Sequence, residues 1–178
     1  MSTRAALTLQ ETFARAIERI DQNLGLAAVG PDLLAILARP FNCKWATHWK
    51  VDPKRGQLYP ASIWQESAPT ARLYGDTIKR QLSMSEGTAG HVWRSQKPIW
   101  TTNIVLDMCL PRSLDAQEAD LHGGVWFALK TNTAVYGVIE MLGQKLDPAN
   151  EEVLTMIELV GISMGLLIET AHMRNLGQ

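Results

Sequence analysis

Two glycines three apart, four histidines, two cysteines and one arginine behind a proline are the residues of this sequence whose types and spacing could do chemistry. The stretch at 85–100, SEGTAGHVWRSQKPIW, sets Gly87 and Gly90 around Thr88 and Ala89, with His91 next in line. Such a segment could cradle a phosphate, hold a metal or haem through His91, or turn tightly into a short helix. A phosphate loop needs more glycines after a strand, or a trailing Gly-Lys-Ser/Thr, and this stretch has neither. His48, His91, His122 and His172 lack zinc-finger and HExxH spacing. The spacing predicts a turn at Gly87, then a short helix in which Gly90 permits close packing. A haem or single-metal site through His91 or His122 is the chemical alternative. Without one, His91 is a partly exposed helix residue and His122 opens a strand before a glycine pair.

Cys43 and Cys109 make neither a disulfide framework nor a zinc cluster, and read as two reduced thiols. Arg112 follows Pro111 at a predicted helix start. Its fork could read a carboxylate or phosphate on an anionic ligand; otherwise it is a surface arginine. Six tryptophans stand against three tyrosines and three phenylalanines, so indole dominates the aromatic surface. The indoles either pack the core or wall a pocket for a flat ligand. The candidate pocket residues are Trp64, His91, Trp93, Cys109, Arg112 and Trp126. No catalytic residue and no metal ligand is assigned.

The elements that must position these residues come from a chain of 178 residues, 46% hydrophobic, 20% charged and with a net charge of −1. That is long enough for one domain with its own core. No basic face suggests nucleic acid. The N-terminus lacks the apolar stretch of a signal peptide. The richest apolar run, 153–168, is broken by Glu158, Gly161, Ser163 and Gly165 and falls short of a membrane span. The expectation is a cytoplasmic protein, or a soluble piece of a larger one.

Residues 8–21 keep Leu9, Phe13, Ala16, Ile17 and Ile20 on one helical stripe, behind a Thr8–Glu11 capping box. A helix at 31–39 begins with Pro31 and Asp32 and is stopped by Pro40. CKWATHWKV (43–51) alternates with period two, and DPKRGQ turns it into a second strand at 57–65. A helix follows at 69–81, a short strand at 98–104, a loop at 105–111 and a polar helix at 112–121. The clearest hairpin is 124–131 with 134–143. A final helix covers about 149–174, in which Gly161 and Gly165 let a neighbouring helix approach. Hairpins imply an antiparallel sheet, and helices covering its faces give an α+β class.

This order of elements, with these words, resembles a GAF domain, the small-molecule-sensing module of bacterial signalling proteins and of cyclic-nucleotide phosphodiesterases. GTAGHVWRSQKPIWTTNI is similar to the family's G-x-x-G-x-V-W-x-S-x-x-P-v-W block. HGGVWFALKTNTAVYGVIEML resembles its final hairpin, and LDPANEEVLTMIELVGISMGLLIE its closing helix. With CKWATHWKVDPKRGQL, the likeness spans nearly all of residues 22–172. The resemblance implies one GAF-like, PAS-related domain over 1–178: an N-terminal helix at 8–21, a core at 22–148 and a signalling or dimerisation helix at 149–174. It also implies a six-stranded sheet, with the terminal helices on one face and the ligand pocket on the other, under 69–81 and 103–121.

Departures from the family's specialised members narrow the function. The free methionine sulfoxide reductases carry a reactive cysteine in a glycine-flanked stretch; here Ala89 and His91 flank Gly90. The thiolate is the reacting species, so this departure removes the nucleophile there. Bilin-binding members attach chromophore to a Cys-His pair. Here that site aligns with Arg112-Ser113, and Cys109 lies three residues early, so no covalent bilin is expected. Gln144-Lys145 with Asn150-Glu151 is a degenerate echo of the phosphodiesterase signature. The resulting expectation is a non-catalytic sensory or regulatory module that binds a small molecule, forms a homodimer through its terminal helices and signals to an output domain such as a kinase or cyclase. Neither nucleic acid nor membrane insertion is expected. The alternatives are a thiol-dependent reductase of small sulfoxides and a haem or bilin sensor.

Overall fold

The computed structural model describes residues 29–67, 71–107 and 112–176, together with Glu11, Ala14, Arg15 and Glu18. Those four residues are helical and exposed, while the rest of the expected 8–21 helix lies outside the described residues. The elements run α1 (Pro31–Ala38), a 3₁₀ turn (Arg39–Phe41), β1 (Cys43–Asp52), β2 (Gln57–Gln65), α2 (Ala71–Thr77), α3 (Gly87–Ser95), β3 (Ile99–Thr101), α4 (Ile104–Asp107), α5 (Ser113–Glu118), β4 (Gly123–Lys130), β5 (Val135–Gly143) and α6 (Glu151–Leu176).

The strands form one antiparallel sheet in the order β2-β1-β5-β4-β3. The described residues thus give five strands where the resemblance implied six. At the β1–β2 turn, Asp52 Oδ1 accepts from the backbone N–H groups of Lys54 and Arg55, and Gly56 takes φ +64°. An Asx turn closed by a left-handed glycine reverses the chain within a few residues. Between Cys43 and Trp45 the register on β5 slips by one residue. This bulge puts Cys43 on the same face as Ala46, while Trp45 and Trp49 go to the other.

Each face has its own core. On one side Leu33, Leu34 and Leu37 of α1 and Val153, Ile157, Val160 and Met164 of α6 pack on Val125, Phe127, Leu129, Ile139 and Met141. On the other, Leu73, Ala89, Val92, Trp93, Ile104 and Ala116 come from α2–α5 and cover Trp45, Trp49, Trp126, Val138 and Leu142. The final helix and the helices of 71–118 therefore lie on opposite faces, as expected, while the face taken by the 8–21 helix lies outside the described residues.

Two of the boundaries that differ from the sequence reading, at Asn103 and Asn150, are set by side-chain caps. The strand expected at 98–104 stops at Thr101, because Asn103 Oδ1 accepts from the N–H groups of Val105 and Leu106 and starts a helix inside the expected loop. The helix expected at 69–81 ends at Thr77, and the chain then bridges back from Leu82 to Leu58. The helix expected at 112–121 is only Ser113–Glu118, after which Asp120 takes φ +59°. The last helix starts at Glu151, with Asn150 Oδ1 accepting from Val153 N–H. Gly161 and Gly165 do permit a close approach, but to the β4 backbone carbonyls of Ala128 and Lys130 rather than to a helix. By length and composition α6 could also cross a membrane, yet its inner face is part of the core under the sheet.

The opening motif behaves as its spacing predicts. Gly87 takes φ +64° and starts α3. At Gly90 a Cβ would run into the Ser83 carbonyl oxygen, so only glycine lets α3 lie this close to the preceding loop.

Candidate functional site

The face covered by α2–α5 holds a buried charge cluster at the centre of the sheet. Glu140 sits in mid-β5, directly opposite Trp126 on β4 and Thr47 on β1. Its side chain is fully buried. Burying a carboxylate is costly unless it is paired and hydrogen-bonded. Arg112, 2% exposed, supplies the pairing. Its Nη2 donates to Oε1 at 2.7 Å and to Oε2 at 2.9 Å. The Trp126 Nε1–H donates to Oε2 at 2.9 Å. Gly124, two residues before Trp126 on the same face, leaves the space that the indole ring fills.

The other end of the guanidinium is held as carefully. Arg112 Nη1 donates to Thr77 Oγ1 at 2.5 Å, and the Thr77 hydroxyl donates onward to the Leu73 carbonyl at 2.7 Å. The guanidinium carbon lies 5.2 Å from the centre of the Trp49 ring, a cation–π contact. Arg112, at the start of α5, thus joins the end of α2 to strands β1 and β5, and β4 is tied in through Glu140. The indole N–H of Trp49 itself is buried with no acceptor, and so is the Thr88 hydroxyl on α3.

Three sequence candidates meet on this face: Arg112, Trp126 and Trp93, the last 7% exposed in the surrounding core. The expectation for Arg112 was a free cation or a surface residue; instead its charge is met internally by Glu140. His91 is exposed on α3, with Nδ1 3.1 Å from Arg94 Nη2. Trp64 packs against the opposite core, under the Arg39 guanidinium at 5.7 Å. Cys109 lies outside the described residues. Among the described residues no cluster of His, Cys, Asp and Glu could hold a metal ion. Cys43 is buried on the α6 face, and desolvation pushes its thiol up to about 12.

Sequence reasoning missed Glu140, Trp49 and Thr77 as members of the cluster. Glu140 carried a signal, being a single charge inside the apolar strand VYGVIEMLG. Trp49 was visible as an inward position of an alternating strand. Thr77 had no signal, because its part depends on where α2 ends.

A concave feature lies on the α6 face. A cavity of about 660 Å³ is lined by His48, Tyr59, Tyr136, Ile168 and His172 among others, mostly with apolar surface. His48 is buried there with its Nε2 unpartnered.

Comparison with known proteins agrees with this architecture. The family model of the GAF domain matches residues 6–169. No curated protein matches the sequence. Among solved structures, a free methionine-R-sulfoxide reductase from Neisseria meningitidis in complex with its substrate superposes with a TM-score of 0.75 at 14% identity, covering 98% of this chain and 95% of that one. The GAF domain of an Acinetobacter phosphoenolpyruvate-protein phosphotransferase gives 0.66 at 14% identity, covering 99% of each. The corresponding domain from Coxiella burnetii gives 0.66 at 16%, covering 93% and 98%. At such identities the likeness is one of fold.

Proposed function

The chain belongs to the GAF domain family, and from that premise we propose that it is a non-catalytic sensory or regulatory module, reading a small molecule on the α2–α5 face and passing the signal through its terminal helices. The observation that carries this reading is the position of β4. One face of that strand presents Trp126 to Glu140, and the same strand's carbonyls at Ala128 and Lys130 lie directly against Gly161 and Gly165 of α6. With no Cβ between helix and strand, a shift of β4 is transmitted to α6 without slack. Lys130 Nζ adds a bond to Glu158 on α6 at 2.7 Å. A ligand that rearranges the buried charge cluster would then shift the population of α6 positions. The output partner would be a kinase or cyclase, and a homodimer through α6 would deliver the signal to it.

The test perturbs the cluster and reads the helix. In Glu140→Gln, hydrogen exchange across 151–176 is expected to change along with that of 112–118. Unchanged exchange in 151–176, with 112–118 altered, would overturn the transmission. Native mass spectrometry of the purified protein reports bound small molecules and the oligomer together.

A second reading, a thiol-dependent sulfoxide reductase, is favoured by the likeness to the Neisseria enzyme. The described thiol argues against it: Cys43 is buried on the far face and held protonated well above neutral pH. Thiol-dependent consumption of free methionine-R-sulfoxide, abolished by Cys109→Ser, would establish this reading in place of the first.

A further inference from the structure

The surroundings of Arg112 are those of a bound guanidinium rather than of a core arginine added for packing. Glu140 offers both carboxylate oxygens, the Thr77 hydroxyl offers a lone pair, and the Trp49 ring offers its negative face. All three come from elements distant in sequence and are fixed without Arg112: Glu140 by Trp126, Thr77 by Leu73, and Trp49 by its place in β1. Together they form a cage for a planar cation.

Two further observations separate this cage from a plain structural ion pair. The Trp49 indole N–H, on the ring that the guanidinium covers, is buried without an acceptor. An arginine side chain has only donors, so the resident cation cannot meet it. A ligand carrying an acceptor beside its cationic head could. Second, the element that follows Arg112 is short and is anchored in the core by one side chain, Ala116. α5 has six residues, buries only Ala116 in the core that it shares with Leu73 of α2, and is otherwise tied to α2 by the ion pairs of Arg72 with Asp115 and Glu118. The Arg72 side chain is 70% exposed, and pairs of that kind contribute little.

Resting on the sensory reading above, we propose that the Trp49–Thr77–Glu140 cage is a binding site for a small guanidinium compound, and that Arg112 is its displaceable built-in occupant. The free compound takes the place of the Arg112 head group, keeps the Glu140 charge paired, and releases the start of α5.

N-Ethylguanidinium, which reproduces the part of the side chain lost in Arg112→Ala, is the probe. At low millimolar concentration, far below denaturing strength, it should raise the Tm of Arg112→Ala saturably by about 5 °C. Ethylammonium at equal ionic strength should not, and Arg112→Ala/Glu140→Gln should respond to neither. In the wild-type protein the same probe should raise hydrogen exchange at 112–118, as Arg112 gives up its place. If Arg112→Ala folds and shows no rise beyond the ammonium control, the cage does not recognise guanidinium. If it is rescued while wild-type exchange at 112–118 is unmoved, Arg112 is a permanent filler and the displacement is wrong. If the variant does not fold in either condition, the wild-type arm decides alone. Rescue and displacement with no response in α6 would leave the site standing and remove the sensory reading instead.

Discussion

The Arg112 Nη2 lies within hydrogen-bond reach of both Glu140 oxygens, at 2.7 and 2.9 Å, with both side chains essentially removed from water. Removing one partner of such a pair leaves an uncompensated buried charge, which typically costs about 3–5 kcal/mol. Glu140→Leu is therefore expected to destabilise by about that amount. Arg112→Met, which keeps an apolar stem and strands the carboxylate, should lose a similar amount. The double variant should recover much of either loss, since replacing both members of a buried pair with apolar groups is often close to neutral. Recovery will be incomplete, because the Trp126 indole N–H loses its acceptor. Urea unfolding of the four proteins gives the coupling directly, and additive losses would refute it.

Gly90 and Gly75 make opposite predictions for one substitution. A Cβ at Gly90 collides with the Ser83 carbonyl oxygen, a backbone atom that cannot swing away. Gly90→Ala should cost about 1–3 kcal/mol, the range of overpacked cores. Gly75 lies inside α2 with open space where its Cβ would go. Gly75→Ala should stabilise by up to about 1 kcal/mol through helix propensity. Thermal melts of the two variants must move in opposite directions for both statements to stand.

What was legible in the sequence was whatever local periodicity controls. The alternation of CKWATHWKV, the turn residues of DPKRGQ and the paired apolar runs at 124–143 placed four strands to within two residues. The glycine spacing of GTAGHVW located α3 and the reason for it. Less legible were helix ends set by single side chains, such as Asn103 and Asn150, which halted a strand early and moved a helix start. The site was half visible. Arg112 and Trp126 were singled out by type, yet their partner Glu140 lies 28 residues from Arg112 and meets it only once β5 is paired to β4. Trp64 shows the converse. Its type suggested a pocket, but pairing with Ala46 across the β1–β2 register sends it to the helix core.

The Cys43 thiol should be unreactive while the protein is folded. It is buried among Leu37, Ala46 and the α6 core, and desolvation holds its pKa at about 12, against 9.0 for a free thiol. At pH 8 almost none of it is thiolate, the form that attacks disulfide reagents. In a Cys109→Ser background, which isolates Cys43, Ellman's reagent should titrate no thiol in buffer and one in urea. The raised pKa also carries a sign. Above about pH 9 the unfolded thiol loses its proton while the folded one keeps it, so stability falls as pH rises through that range. Rapid labelling of the native protein would contradict the burial.

His48 gives the acid counterpart. It is buried on β1 with Nε2 unpartnered, its Gly137 neighbour close beneath, and Lys50, Tyr59, Tyr136 and His172 around the same cavity. Desolvation, aided by the Lys50 charge, lowers its pKa from 6.5 to about 3. The sign follows from proton counts. Above pH 6.5 both folded and unfolded His48 are neutral and contribute no pH dependence. As pH falls below 6.5 the unfolded chain takes up a proton that the folded chain refuses. Stability should then drop by about 1.4 kcal/mol per pH unit. The carboxylates whose pKa values are lowered by hydrogen bonds, Glu86, Asp120 and Glu169, begin to contribute only below their ordinary values of 4.5, 3.8 and 4.5. The window from pH 6.5 to about 5 therefore reports buried histidine rather than acid titration. Urea unfolding across that window should show the slope in the wild-type protein and a flatter one in His48→Gln, whatever the absolute stability of the variant. Equal slopes would mean that His48 charges freely in the folded chain, and that water reaches the face of β1 beneath the cavity.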